Sequence, residues 1–150
     1  MIKVLFVCLG NICRSPMAQF VFKQMVEDRG LSDQFEIDSA ATSSEELGNP
    51  AYPPVVRLLG RLGIDTSCHR ARRITAEDYR YYDIIIGMDR ANMRNMNNFW
   101  GGDPDGKLHL MMNFCQENRD VADPWYTGDF ETTYRDVLAG CRALLTGCGY

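Results

Sequence analysis

Ile2 to Val7 is an apolar run rich in β-branched and aromatic residues, interrupted only by Lys3 and showing no polar alternation. A strand wetted on one face alternates with period two; a continuous run marks a strand covered on both faces, as in a parallel sheet between helical layers. Asp83 to Met88, with Ile84-Ile85-Ile86, repeats the pattern, while Phe35 to Ser39 and Leu108 to Phe114 read as two further strands. Between them lie helical stripes. Ala18, Val21, Phe22, Met25 and Val26 recur at helical spacing, with Ser15 as N-cap, Pro16 in the first turn and Gly30 at the end. Val55, Leu58, Leu59 and Leu62 form a second stripe closed by Gly63, Asp89 is placed to cap a helix from Arg90 to Asn97, and a last helix runs from Asp129 through Val137 to Leu145. The alternation predicts a single α/β domain over 1–150, three-layer α/β/α, with a four-stranded, mainly parallel twisted sheet and helices on both faces. Such sheets bind ligands beyond the carboxyl ends of their strands, and Cys8 stands at the end of the first.

The loop that follows reads Cys8-Leu9-Gly10-Asn11-Ile12-Cys13-Arg14-Ser15. A Cys with an Arg six residues on arises readily by chance; its place between a buried strand and a helix start gives it meaning. Gly10 and Asn11 can enter left-handed conformations, turning successive N–H groups inward as an anion nest at the positive end of the helix. Arg14 adds a fork able to grip two phosphate oxygens, which Lys would not reproduce. The same field favours the thiolate of Cys8, the nucleophilic form of the side chain. Ser15 can give a hydroxyl hydrogen to that sulfur and improve it as a leaving group. Neither a Gly-Lys-Ser/Thr phosphate loop nor a Gly-x-Gly-x-x-Gly turn occurs, which argues against a nucleotidase or a dehydrogenase.

Charge and cysteine usage narrow the setting. A net charge of -4 disfavours nucleic acid and acidic membrane surfaces as partners. The basic run His69-Arg70-Ala71-Arg72-Arg73 lacks interleaved aromatics and reads as a solvated loop. The opening apolar run is too short for a signal peptide and no stretch approaches membrane-spanning length, so the six cysteines are expected as free thiols in a reducing cytoplasm. Two His and scattered Cys give no metal-ligand spacing.

Phosphoryl transfer to a thiolate requires an acid for the leaving oxygen and then a base for water. Asp123 precedes Pro124, which holds the backbone before it extended; on the residues alone, Asp129, Asp120 and a plain Asp-Pro turn stay open beside it.

Val7-Cys8-Leu9-Gly10-Asn11-Ile12-Cys13-Arg14-Ser15-Pro16 resembles the signature of the low-molecular-weight protein tyrosine phosphatases. The likeness continues through Asp38-Ser39-Ala40, Gly87-Met88-Asp89 and Asp123-Pro124, in order along essentially the whole chain. It implies hydrolysis of phosphotyrosine and other aryl phosphate monoesters through a phosphocysteine intermediate, with no metal or other cofactor. Cys8 would be the nucleophile, Arg14 and the amides of Leu9 to Arg14 would surround the phosphate, and Asp123 would act as acid and then base, leaving Asp129 as a helix cap. The resemblance also implies that Asn11 is held by Ser15, Ser39 and His69. The expected partners are a phosphotyrosine protein or peptide as substrate and inorganic phosphate as product, for a monomer or weak dimer.

Around the mouth, Leu9 and Ile12 are expected as an apolar floor, and Trp125 and Tyr126 as a wall for a phenyl ring unless one packs in the core. Where some members of that family carry another aromatic, this chain has Glu45-Glu46, which disfavours acidic peptides. Cys13 either captures an oxidised Cys8 as a disulfide or is a small buried residue. Two rival readings share the loop. A thiol-dependent arsenate reductase would enlist Cys141 and Cys148, and a phosphate-binding module would need neither Cys8 nor Asp123.

Overall fold

The N-terminal run forms β1 (Ile2–Cys8), and Val4, Leu5, Phe6 and Val7 are wholly buried. The computed structural model describes residues Met1–Tyr150. After β1 come α1 (Arg14–Asp28), β2 (Phe35–Ala41), α2 (Pro53–Arg61), α3 (Ala76–Tyr81), β3 (Ile84–Gly87), α4 (Arg90–Trp100), β4 (Leu108–Leu110), α5 (Pro124–Thr127) and α6 (Phe130–Gly147). The strands lie in the order β2-β1-β3-β4, all parallel, with Leu5 between Asp38 and Ile85. Period two sorts the side chains of β1 to two cores. Val4 and Phe6 join α1, α2 and α6 through residues such as Phe22, Leu59 and Val137, while Leu5 and Val7 join Tyr79 of α3 and Met96 of α4. The expected three-layer, four-stranded parallel architecture is the one observed.

The chain leaves β1 for β2 on one side and returns to β3 on the other. The strand order therefore switches at the carboxyl ends of β1 and β3, where such sheets bind ligands. Gly87 ends β3 directly under α4, and a Cβ there would come 2.9 Å from Met96 Cε. That close approach seats Asp89, which caps α4 through a bond from Asn92 N–H, as expected.

Three local expectations need correction, and one helix was missed. The fourth strand stops at Leu110, and Met111–Cys115 is a 3₁₀ turn with Met111 pressed against Gly140 of α6. Unbranched methionines suit a helical turn better than a pleat, and the packing onto α6 selects it. Ser15 is not the cap of α1: the helix begins at Arg14, behind Cys13, with no side-chain cap, so its first N–H groups stay turned toward the loop. Helix α3, capped reciprocally by Thr75 and Asp78, was not anticipated although Thr75-x-x-Asp78 carries its signal. Finally, the basic run is a loop solvated only in part, at Arg70 and Arg73. Arg73 pairs with Ala41 beside β2, Arg72 bonds Asp38 and Asp78, and His69 is buried. No helix is long and apolar enough to cross a membrane.

Candidate active site

Cys8 ends β1 and Arg14 begins α1, so the six-residue interval between them bends around a single point. Asn11 makes the bend with φ 60°, a left-handed conformation that Asn tolerates better than most residues. Its own N–H reaches Cys8 Sγ at 3.3 Å. Every polar atom of this wholly buried residue is engaged. Nδ2 donates to Ser15 Oγ at 2.8 Å and to Ser39 Oγ at 2.9 Å, while Oδ1 accepts from Arg72 N–H at 3.1 Å. The carbonyl accepts from His69 Nε2 at 2.7 Å, which fixes the ring hydrogen on that nitrogen. Ser39 in turn donates to Gln19 Oε1 at 2.5 Å. Because Ser15 Oγ accepts from Asn11, its hydrogen is left for Cys8 Sγ, 3.0 Å away. The sulfur thus receives one backbone and one hydroxyl donor, an arrangement that suits a thiolate.

Arg14 is 2% exposed. Nη1 donates to Asp89 Oδ2 at 2.8 Å and to the Val121 carbonyl at 2.9 Å, while Nη2 lies 3.4 Å from Asp123 Oδ2. Burial opposes its charge, but Cys8, Asp89 and Asp123 together outweigh burial and hold its pKa above the ordinary value. Asp123 is the N-cap of α5, accepting from Trp125 N–H at 3.1 Å through Oδ1. Pro124 at the first position of α5 keeps Asp123 extended, which points its other oxygen back toward Arg14. Burial, then the charges of Cys8 and Asp123, push the Cys13 thiol up to about 12, so Cys13 is protonated.

A cleft opens over the sulfur, lined by Cys8, Leu9, Gly10, Ile12, Cys13 and Arg14 on the floor, with Asp123, Trp125 and Tyr126 on one side and Glu45 and Glu46 on the other. Trp125 and Tyr126 are 53% and 79% exposed, so neither is a core residue.

Residues 3–148 match the family described as low molecular weight phosphotyrosine protein phosphatase. The chain is 42% identical over 148 residues to the human low molecular weight phosphotyrosine protein phosphatase, covering 95% of this chain and 93% of that one. Its structure superposes on the crystal structure of YfkJ from Bacillus subtilis with a TM-score of 0.96 at 35% identity, covering 99% and 95% of the two chains. It superposes on the Drosophila arginine phosphatase DARP with a TM-score of 0.89 at 30% identity, covering 99% of each. This chain belongs to the low molecular weight phosphotyrosine protein phosphatase family.

Within this phosphatase, the fold brings together the residues that the resemblance assigned to the phosphate loop, its support and the acid. Cys8, Arg14 and Asp123 meet in one cleft, and Ser15, Ser39 and His69 converge on Asn11. Asp129 caps α6 through Thr132 N–H. Three participants were missed. Asp89 had been read only as a helix cap, yet its second oxygen holds Arg14; Arg72, 61 residues along the chain from Asn11, bonds that side chain through its amide, and Gln19 backs the loop indirectly by accepting from Ser39. No local motif marks these long-range partners, although the Gly87-Met88-Asp89 likeness pointed at one. The thiols of a reductase relay are not at the site. Cys141 is fully buried against Ala18, and neither Cys141 nor Cys148 lines the cleft.

Proposed function

We propose that this chain hydrolyses phosphotyrosine and related aryl phosphate monoesters, with Cys8 as nucleophile, Arg14 as phosphate ligand and Asp123 as acid and base. The observation that carries this reading is the convergence of a doubly hydrogen-bonded Cys8 sulfur, Arg14 and Asp123 in one cleft. Cys8 attacks phosphorus in line, and the phosphorus–oxygen bond to the leaving group breaks as Asp123 hands that oxygen its proton. The loop amides and Arg14 stabilise the equatorial oxygens. Both hydrogens of Nη1 are committed to Asp89 and Val121, so the fork toward phosphate comes from Nε and Nη2. Taking up phosphate then draws Nη2 from Asp123 and frees that carboxyl for the leaving group. Water next attacks the phosphocysteine while Asp123 accepts its proton, releasing inorganic phosphate and the Cys8 thiolate. Ser15 stabilises the departing sulfur.

An arginine phosphatase shares the fold, so the fold does not choose the leaving group; the exposed aromatic wall of Trp125 and Tyr126 favours an aryl one. Glu45 and Glu46 opposite favour substrates without acidic flanks, and Glu45→Lys with Glu46→Lys should raise kcat/KM on an acidic phosphotyrosine peptide relative to a basic one. Six unpaired thiols suit a reducing cytoplasm. The deciding measurement is turnover of phenyl phosphate by wild type, Cys8→Ser and Asp123→Asn. Cys8→Ser should be inactive, and Asp123→Asn should lose about 10²-fold or more, as expected for loss of a general acid. Undiminished turnover by Cys8→Ser would sink the mechanism.

A further inference from the structure

Asp123 stands on a segment that does little to hold itself. Helix α5 has four residues, and its internal backbone bonds are those of Tyr126 and Thr127 to Asp123 and of Gly128 to Pro124. So short a helix is unstable without outside support. One outside tie is the 3.4 Å contact from Arg14 Nη2 to Asp123, and this tie must loosen when a phosphate takes Nη2.

Tyr52 supplies another. Its N–H donates to the carbonyl of Ile12, in the phosphate loop, at 2.9 Å. Its ring meets Trp125 with centroids 4.9 Å apart and planes at 52°, and stacks on Phe130, the first residue of α6, at 6.0 Å and 26°. Trp125 N–H holds Asp123 Oδ1. The chain of contacts thus runs from the loop that grips phosphate, through the Tyr52 ring, to the backbone amide that orients the acid. Aromatic pairs at these separations hold a preferred geometry that an aliphatic side chain does not reproduce.

We infer that Tyr52 is a positioning residue for proton transfer, keeping Trp125 and hence the Asp123 carboxyl over the leaving-group oxygen once Arg14 has turned to the phosphate. The inference rests on Asp123 being the general acid. It concerns a step whose difficulty rises with the basicity of the leaving group, since a phenol with a pKa of about 10 needs a proton more than an activated nitrophenol does.

The test is kcat/KM for phenyl phosphate and for 4-nitrophenyl phosphate in Tyr52→Ala, Tyr52→Leu and Tyr52→Phe, alone and combined with Asp123→Asn. Tyr52→Leu keeps most of the buried volume, so it reads the aromatic contact even if Tyr52→Ala fails to fold. Tyr52→Leu should lower kcat/KM about tenfold for phenyl phosphate and less than about twofold for the nitrophenyl ester, since small misplacements of an acid cost factors of this order. Tyr52→Phe should restore wild-type discrimination between the esters. In the Asp123→Asn background, Tyr52→Leu should add nothing for phenyl phosphate. Equal losses on both esters, or losses that multiply with those of Asp123→Asn, would overturn the role of Tyr52 while leaving the acid in place. If Asp123→Asn itself shows no dependence on the leaving group, the acid assignment falls and the inference falls with it.

Discussion

Removing the side chain of Asn11 tests whether the loop is held from behind. Asn11→Ala deletes the bonds to Ser15 and Ser39 and the one accepted from Arg72 N–H. At a net of about 1 kcal/mol each, these come to about 3 kcal/mol. Alanine held at φ 60° adds about 1 kcal/mol of backbone strain, for a total near 4 kcal/mol. Asn11→Gly loses the same three bonds without the strain, so it should cost about 3 kcal/mol. Domains of this size are stable by about 5–15 kcal/mol, and both variants should still fold. Urea unfolding at constant slope measures the two losses, and kcat/KM on phenyl phosphate should drop at least about tenfold in each as the loop amides lose their aim. A loss below about 1.5 kcal/mol in both would refute the support network. Equal stability of the Gly and Ala variants would refute the strain argument.

Asp89→Asn keeps one acceptor oxygen, enough to cap the amide of Asn92, but turns an NH2 donor toward Arg14 and removes the charge facing a buried guanidinium. It should destabilise the protein by about 3 kcal/mol in the same unfolding assay, the low end of the roughly 3–5 kcal/mol typical when a buried pair loses one partner. His69 has its pKa lowered from 6.5, chiefly by burial and against the pull of its bond to Asn11. The unfolded chain therefore takes up that proton first, so the contribution is complete above about pH 6.5 and is lost as pH falls through the lowered folded value. Unfolding free energy should decline between pH 7 and 5.5, and His69→Gln should flatten that slope; an unchanged slope would contradict the assignment. Peroxide should convert Cys8 to the sulfenic acid, which the Cys13 thiol condenses with to give a disulfide and water. Loss of the Cys8 charge removes one of the influences that, after burial, keep Cys13 protonated. Cys13→Ser should then lose the recovery of activity that a reductant gives wild type, and undiminished recovery would rule the capture out.

Hydrophobic patterning carried most of the architecture. The uninterrupted runs at Val4 to Val7 and at Ile84 to Ile86 imply strands covered on both faces, and a short chain has few ways to cover them except with the helices between. The phosphate loop was equally legible, because a Cys-to-Arg interval, a left-handed turn and a helix start are local and each leaves its mark on consecutive residues. Met111 to Phe114 was not, since an apolar run without alternation suits a strand and a helical turn equally, and the contact with Gly140 of α6 decides. Nor was the basic run beginning at His69. Its charges suggest solvent, whereas Asp38, distant in sequence, and Asp78, six residues on in α3, draw Arg72 inward and place its amide on Asn11.

The sequence by itself therefore pointed to the sheet and to the loop carrying Cys8 and Arg14, while Asp123 stood apart from the other acids only through the family resemblance. Only the tertiary structure decided what aims them. Asp89 on Arg14, Gln19 behind Ser39, Arg72 on Asn11 and Tyr52 against Trp125 join residues from different elements, and such pairings depend on how helices and strands settle across the sheet. A pattern of periods and spacings records which face of an element is buried, but it does not record which side chain waits on the other side.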